Sequence, residues 1–222
     1  MRPQVFRDRR EAGRVLADKL SAYAGRSDVV VLALPRGGIP VGYEVARALG
    51  APLDAFVVRK LGTPGHEELA MGAIGPGGVR FLNEPLRREL GVTDAEVEAV
   101  TRAERSELER RERLYRGTRA PLEVRGKTAI LVDDGLATGS SMRAAIDSLR
   151  HFEPARIVVA VPTGAPDTCE ELRARVDELV AVITPEAFYA VGLWYQDFSQ
   201  TSDEEVRDLL ARAAQPDAKR GA

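Results

Sequence analysis

The sequence predicts an α/β fold in which a mostly parallel sheet carries helices on both faces. Short apolar, β-branched runs alternate with segments whose apolar residues have helical spacing, and this alternation is typical of parallel strands joined by helices. The chain has 222 residues, of which 44% are hydrophobic and 30% are charged. This length and balance suit one globular domain with one sizeable core.

The predicted elements follow in order along the chain. Apolar residues such as Leu16 and Leu20 lie at helical spacing, so the first helix is predicted over residues 8–23. Further helices are predicted at 41–49, where Gly50 ends the helix, and from Ser140 through Arg150. Strands are predicted at 29–34, 53–59, 130–133, 156–161 and 178–184.

Two stretches depart from this alternation. Residues 69–83 contain Gly75-Pro76-Gly77-Gly78 between short apolar runs, which predicts an antiparallel hairpin. Residues 94–116 form a long, highly charged segment with a thin apolar stripe, which predicts a helix with one solvated face. Residues 213–222 are expected to be a frayed tail.

Composition and charge exclude several classes of function. The formal charge is −2 and no long basic block occurs, so neither nucleic acid nor a membrane surface is an expected partner. No signal peptide or membrane span is apparent, and a cytoplasmic protein is expected. The lone Cys169 excludes an intrachain disulfide and is predicted to be a packing thiol, while His66 and His151 alone make no metal site.

The most informative motif follows the predicted strand 130–133. Asp133 and Asp134 are adjacent carboxylates at the end of this strand, where open α/β sheets bind ligands. Ionised carboxylates accept hydrogen bonds and repel each other unless a cation or hydroxyl donors engage them. The two hydroxyls of a ribose would supply such donors.

The loop after the carboxylates predicts a phosphate site. Its small residues offer consecutive backbone N–H groups and three hydroxyls at the start of a helix, whose dipole favours an anion. These loop residues are Ala137, Thr138, Gly139, Ser140 and Ser141. The loop lacks the Gly-Lys-Ser/Thr ending of a Walker A motif, and no G-x-G-x-x-G fingerprint occurs, so a phosphoribosyl group is the ligand that fits.

Here the chain resembles the type I phosphoribosyltransferases, whose motif for 5-phosphoribosyl-1-pyrophosphate (PRPP) is an apolar strand, two acidic residues and a T-G-x-S/T loop. The resemblance implies a Rossmann-like core and one phosphoribosyltransferase domain over residues 1–222. That domain would comprise a core at about 25–185, an inserted hairpin and long helix at about 62–118 and a small hood at about 184–212. It also implies PRPP, pyrophosphate and a small-molecule acceptor as partners, with Mg²⁺ bound by Asp133 and Asp134, directly or through water.

A second loop, Pro35-Arg36-Gly37-Gly38, follows the first predicted strand. Gly37 and Gly38 allow close backbone approach to a ligand, and Arg36 can bind phosphate oxygens with its forked guanidinium. In the resembled family the loop at this position binds pyrophosphate.

Arg59 and Lys60 end the second predicted strand, and His66 follows in a predicted glycine-containing loop. The pair resembles one in orotate-type members of the family, which implies that Arg59 and Lys60 act with Asp133 and Asp134 in catalysis by meeting the leaving group's charge. Residues 62–65 and 69–83 would then form a lid over the site. A role for His66 is left open.

The candidate acceptor site is the aromatic segment 188–198, which holds five of the twelve aromatic residues. Trp194 or Tyr195 would stack on a heterocycle, and Gln196 or Asp197 would bind its polar edge. Equally, these aromatics could simply cover an exposed edge of the sheet.

The sequence leaves the identity of the acceptor open, and it is expected to be a nucleobase or another amine. Ala137 stands where hypoxanthine- and guanine-using relatives carry Asp, and in this it resembles adenine-using members. The alternative function is a non-catalytic protein of the same fold that senses PRPP or a nucleotide. A homodimer is the expected assembly.

Overall fold

The computed structural model describes residues 5–117, 119–121 and 123–215, except for the side chain of Glu68. In these residues a five-stranded parallel sheet forms the centre, with the strand order β2-β1-β6-β7-β8. The strands are β1 (Val29–Ala33), β2 (Leu53–Ala55), β6 (Thr128–Val132), β7 (Arg156–Thr163) and β8 (Glu178–Ile183). The predicted α/β fold with a mostly parallel sheet is confirmed.

Helices cover both faces of this sheet because its strands are apolar on both sides. Val31 packs on one face with Leu16 and Val45, whereas Leu32 packs on the other face with Ile146. The first face carries α1 (Arg9–Lys19), α2 (Gly38–Leu49) and α7 (Asp203–Ala213), and the second carries α5 (Ser140–Arg150) and α6 (Pro166–Arg173). Cys169 of α6 is fully buried, as predicted, and burial raises the pKa of its thiol.

A smaller antiparallel sheet lies in the inserted region. It consists of β3 (Arg59–Thr63), β4 (His66–Ile74) and β5 (Arg80–Leu82), so the predicted hairpin is confirmed and gains a third strand. The short helix α3 (Glu84–Glu89) and the long helix α4 (Asp94–Arg116) follow. The bounds of α4 are those predicted, and Thr93 caps its start in a reciprocal pair of hydrogen bonds with Glu96.

Two local predictions are wrong. The strand predicted at 53–59 is split, because β2 ends at Ala55 and Arg59 begins β3 of the other sheet. His66 does not lie in a loop but begins β4 opposite Thr63. Helix α7 extends to Ala213 and buries Val206 and Leu209, while 216–222 of the predicted tail lie outside the described residues. Among the described helices, none has the length and apolarity needed to cross a bilayer.

Candidate functional site

The two carboxylates stand at the carboxyl edge of the central strand. Strand β6 lies between β1 and β7, and Asp133 and Asp134 follow its last residue. The Asp133 Oδ1 atom accepts a hydrogen bond from the Asp134 N–H at 2.9 Å. Burial, and then the adjacent Asp134 carboxylate, raise the pKa of Asp133 well above its ordinary value.

Asp134 is held from two directions. The Arg9 Nε atom of α1 donates to Asp134 Oδ2 at 2.8 Å, and the two side chains are only 11% and 16% exposed. The Tyr195 hydroxyl donates to the Asp134 backbone carbonyl at 2.6 Å. Burial raises the pKa of Asp134, and the Arg9 guanidinium opposes that rise.

The predicted pyrophosphate loop touches the carboxylates. A Cβ atom added to Gly37 would lie 2.0 Å from Asp134 Oδ2, and one added to Gly38 would lie 2.8 Å from the Val132 carbonyl oxygen. Glycine is therefore required at both positions for this close approach. Arg36 is about one-third exposed, and its Nη1 atom lies 3.9 Å from Asp203 Oδ1.

The predicted phosphate loop lies open at the same edge of the sheet. Thr138 and Ser141 are exposed, and the Thr138 Oγ1 and Ser140 Oγ atoms are 3.1 Å apart. Gly139 adopts φ 70° just before α5 and has no side chain to cap the helix, and the Ser140 N–H makes only a long hydrogen bond of 3.5 Å to Thr138 Oγ1. The first N–H groups of α5 and the nearby hydroxyls therefore suit an anion.

Two side chains that sequence analysis did not single out hold this loop. The Thr168 hydroxyl donates to the Ala137 carbonyl at 2.7 Å, and Arg143 Nη1 donates to the Thr138 carbonyl at 2.6 Å. Arg143 is itself fixed by two hydrogen bonds to the Glu171 carboxylate. Their spacing along the chain gave no signal, because α5 and α6 meet only in the folded protein.

The structure does not bring Arg59 and Lys60 to the carboxylates. Arg59 Nε donates to Glu104 Oε2 of α4 at 2.6 Å. Among the described residues, no hydrogen bond or ion pair joins Arg59 or Lys60 to Asp133 or Asp134. Their predicted role is to meet the charge of the leaving group, which does not need a contact with the carboxylates, but Arg59 would have to exchange its bond to Glu104 for one to the leaving group.

The hood carries the predicted acceptor residues in different environments. Trp194 is half-buried and packs against the cluster of Phe6, Ala12 and Tyr195. Tyr195 is 6% exposed, and its ring lies 5.6 Å from that of Phe6 and 5.1 Å from that of Phe198. Burial of this ring disagrees with stacking on an acceptor, because the ring already packs within the protein.

Asp197 is exposed at the end of the hood. It accepts a hydrogen bond from the Ser199 N–H at 2.9 Å, which lowers the pKa of its carboxyl group. Asp197 also lines a small polar cavity of about 170 Å³, together with Arg9, Ser199 and Glu205. A polar group of a ligand would therefore meet several donors and acceptors here.

Arg9 is the main site residue that sequence analysis missed. Besides Asp134, it contacts the hood, since its Nη1 atom donates to the Ser199 carbonyl at 2.7 Å and its guanidinium lies 4.0 Å from the centre of the Phe198 ring. Arg7 and Arg10 flank it in sequence, and no motif distinguishes the three arginines. Only the packing of α1 against the hood does so.

The chain is similar in sequence to known proteins over most of its length. The model of the phosphoribosyl transferase domain matches residues 7–195. The chain is 46% identical over 219 residues to "Putative phosphoribosyl transferase Rv0571c" of Mycobacterium tuberculosis, an alignment that covers 99% of this chain and 49% of that protein. The chain thus spans about half the length of this relative.

A solved structure and a shorter stretch of another protein are also similar to this chain. The crystal structure of TT1426 from Thermus thermophilus is 43% identical in sequence, with a TM-score of 0.86 over 95% of this chain and 100% of that one. A stretch of 45 residues, 20% of this chain, is 51% identical to 25% of the Bifunctional protein PyrR of Roseiflexus sp. (strain RS-1).

Proposed function

Because this chain belongs to the phosphoribosyl transferase domain family, we propose that it transfers the 5-phosphoribosyl group of PRPP to an acceptor nitrogen and releases pyrophosphate. The observation that carries the proposal is the contact of Gly37 and Gly38 with Asp134 and the end of β6, beside the open phosphate loop. A phosphate, a ribose diol and a pyrophosphate occur together in PRPP. The three neighbouring subsites match these three groups.

The proposed roles follow from the chemistry of each subsite. The backbone and hydroxyls of Ala137, Thr138, Gly139, Ser140 and Ser141 hold the 5′-phosphate at the start of α5. Asp133 and Asp134 accept hydrogen bonds from the ribose hydroxyls. Their negative charge also favours the positive charge that develops on the ribose ring when the bond to pyrophosphate weakens.

Pyrophosphate leaves with the electron pair of the bond that joins it to C1 of the ribose. The acceptor nitrogen supplies the pair for the new bond and loses a proton. Arg36, Gly37 and Gly38 receive the departing pyrophosphate, with Arg36 as the cation. Arg59 and Lys60 would add charge only after Arg59 leaves Glu104, so we propose them for a closed state of the site.

The two carboxylates fit a magnesium ion that arrives with the substrate. In the described part of the chain, no group of three or more His, Cys, Asp or Glu residues is arranged to hold a metal by itself. Mg²⁺ prefers phosphate oxygens and water with one or two carboxylates, which Asp133 and Asp134 provide. The bound ion would neutralise charge on the pyrophosphate.

We place the acceptor beneath the hood, near Trp194 and Asp197. Trp194 is half-buried, which leaves part of its ring for a planar acceptor, and exposed Asp197 would bind a polar edge. Tyr195 supports this surface from within by its bond to the Asp134 carbonyl. A screen of nucleobases and other amines with PRPP, followed by pyrophosphate release, would identify the acceptor.

Binding of PRPP with Mg²⁺ tests the proposed subsites without knowledge of the acceptor. A ligand at one hundred times its Kd stabilises a protein by about 2.7 kcal/mol, so PRPP should raise the Tm. The double change Asp133→Asn and Asp134→Asn should remove most of this rise, and Ser140→Ala with Ser141→Ala should reduce it. Ser106→Ala is the control, because Ser106 is an exposed residue of α4. Binding by the aspartate double variant equal to that of the wild type would refute the diol site.

A further inference from the structure

Arg9 joins parts of the site that lie far apart in the sequence. Its Nε atom donates to Asp134 Oδ2 at 2.8 Å, and its Nη1 atom donates to the Ser199 carbonyl at 2.7 Å. The guanidinium also lies 4.0 Å from the centre of the Phe198 ring. One side chain therefore connects the acidic pair at the end of β6 with the end of the hood.

The Arg9 ion pair also packs on the glycine loop. A Cβ atom added to Gly37 would lie 3.3 Å from Arg9 Nε as well as 2.0 Å from Asp134 Oδ2. The guanidinium thus stands beside the proposed pyrophosphate subsite. Any shift of Arg9 would change the surroundings of Asp134 and Gly37 together.

The burial of Arg9 separates it from an ordinary surface arginine. Its side chain is 11% exposed, whereas that of Arg10 is 47% exposed and only 3.5 Å from Glu205. An exposed pair of the Arg10 kind contributes little, because water and salt screen it. A largely buried guanidinium that also binds a carbonyl and an aromatic ring holds its partner in one orientation.

We propose that Arg9 is a positioning residue for phosphoribosyl transfer, which orients the Asp134 carboxylate toward the ribose and ties it to the hood. This inference rests on the function proposed above. Arg9 binds Oδ2 of Asp134, and no donor of the described residues is hydrogen-bonded to Oδ1, so we assign Oδ1 to a ribose hydroxyl. Lysine has one donor nitrogen without a planar fork, so it cannot reproduce the contacts to Asp134, Ser199 and Phe198 together.

The test compares Arg9→Gln, Arg9→Lys and the control Arg10→Gln, which removes the same charge from the neighbouring residue. Calorimetry with PRPP and Mg²⁺ should show binding weakened at least about tenfold in Arg9→Gln, partly restored in Arg9→Lys and unchanged in Arg10→Gln. Trp194, the only tryptophan, reports on the hood. Its emission should shift on PRPP binding in the wild type and less in Arg9→Gln.

A second measurement needs no ligand. The N–H groups of Gln196 and Asp197 donate to the carbonyls of Phe6 and Arg7 at 2.8 Å, so their hydrogen exchange reports how firmly the hood is held to the start of α1. Exchange at both should quicken in Arg9→Gln and stay unchanged in Arg10→Gln.

The outcomes separate the two proposals. Folded Arg9→Gln that binds PRPP as tightly as the wild type, or more tightly, would overturn the positioning role. So would hood exchange that does not change. If the wild type itself fails to bind PRPP, the proposed function fails, while the exchange measurement still decides whether Arg9 holds the hood. If Arg9→Gln does not fold, Arg9→Lys is compared with the wild type instead. Arg9→Lys should then bind PRPP more weakly than the wild type, and equal affinity would contradict the positioning role.

Discussion

At the scale of single residues, Asp133 and Asp134 are adjacent and chemically alike but differ in their surroundings. Asp134 is paired with Arg9, whereas the described hydrogen bond of the Asp133 side chain is to the backbone N–H of its neighbour. Both carboxyl groups have raised pKa values because burial disfavours their charge. The two charges therefore lower the stability of the ligand-free protein, at the position where hydroxyl donors or a cation would bind them.

Asp133→Asn should stabilise the ligand-free protein at neutral pH, because it removes a charge that its surroundings disfavour and keeps the oxygen that accepts from the Asp134 N–H. The pKa of Asp133 is higher in the folded than in the unfolded state. Its contribution to stability is thus present at low pH and is lost as pH rises through the raised value. Thermal unfolding measured from pH 4 to pH 8 should show that the variant loses less stability than the wild type as the pH rises.

Asp134→Asn is the matched comparison for that experiment. It should gain less stability than Asp133→Asn, or lose stability, because Arg9 is left without its ion-pair partner. Equal gains in both variants would mean that the Arg9 contact does not contribute to stability.

At the scale of elements, the site depends on loops that touch because their residues are small. Gly37 at the start of α2 meets Asp134, and Gly135 after β6 meets Val191 of the hood, where an added Cβ would lie 2.5 Å from a methyl carbon. The glycines bring the ends of β1 and β6 and the hood within van der Waals contact. Larger residues would separate these elements.

Gly37→Ala should therefore weaken PRPP binding by about tenfold or more, because the new methyl group must displace the Asp134 carboxylate. The control is Gly42→Ala on the same helix, where the added Cβ would lie 2.7 Å from the Ala33 Cβ in the core. That change should lower stability by about 1 to 3 kcal/mol and leave the affinity of the folded protein unchanged. Similar losses of affinity in both variants would indicate general damage to α2.

The small antiparallel sheet is anchored too firmly for the whole of residues 62–83 to move as a lid. Leu61, Met71 and Ile74 are fully buried, and Arg59 and Arg80 pair with Glu104 and Glu98 of α4. The turn residues Pro64 and Gly65, and the first two residues of β4, His66 and Glu67, are exposed. We therefore expect any closing movement of this region to be confined to residues 63–67.

Hydrogen exchange should locate any closure of this region. On binding of PRPP with Mg²⁺ and acceptor, exchange should slow at residues 63–67, whereas 71–74 should exchange slowly with and without ligands because they are buried and paired. The charged helix α4 serves as the internal reference. Unchanged exchange at 63–67 would leave the hood as the remaining candidate cover.

At the scale of the whole molecule, the hood is part of the same folded unit as the sheet. Phe6 and Trp194 are joined by a backbone hydrogen bond of 2.9 Å, and Val206 and Leu209 of α7 belong to the apolar cluster on one face of the sheet. The segment around Phe6 and helix α7 are thereby tied to the core. The expected homodimer stays a prediction, which light scattering would test.

This connection predicts cooperative unfolding of hood and core. The fluorescence of Trp194 and the far-ultraviolet circular dichroism should change at the same denaturant concentration, because the hood cannot lose its packing without exposing Phe6 and Tyr195. An earlier transition in fluorescence would show that the hood unfolds separately.

Features that depend on residues close together in the chain could be predicted without the structure. The apolar runs and their spacing predicted the parallel sheet, and the bounds of α4 were correct because charge, periodicity and end residues agree within that segment. The family was predicted from Asp133, Asp134 and the loop after them, since these groups are consecutive in the chain.

Contacts between residues far apart in the chain could be identified only in the folded protein. Arg9 and Asp134 are 125 positions apart, and their contact follows from the packing of α1 beside the sheet. The same packing buried Tyr195, which an exposed acceptor site would have kept free, and pairing with β4 placed Arg59 in a second sheet beside Glu104. The spacing of apolar residues shows which face of a helix or strand is apolar. It does not show against which other helix or strand that face packs. Long-range contacts therefore had to come from the fold.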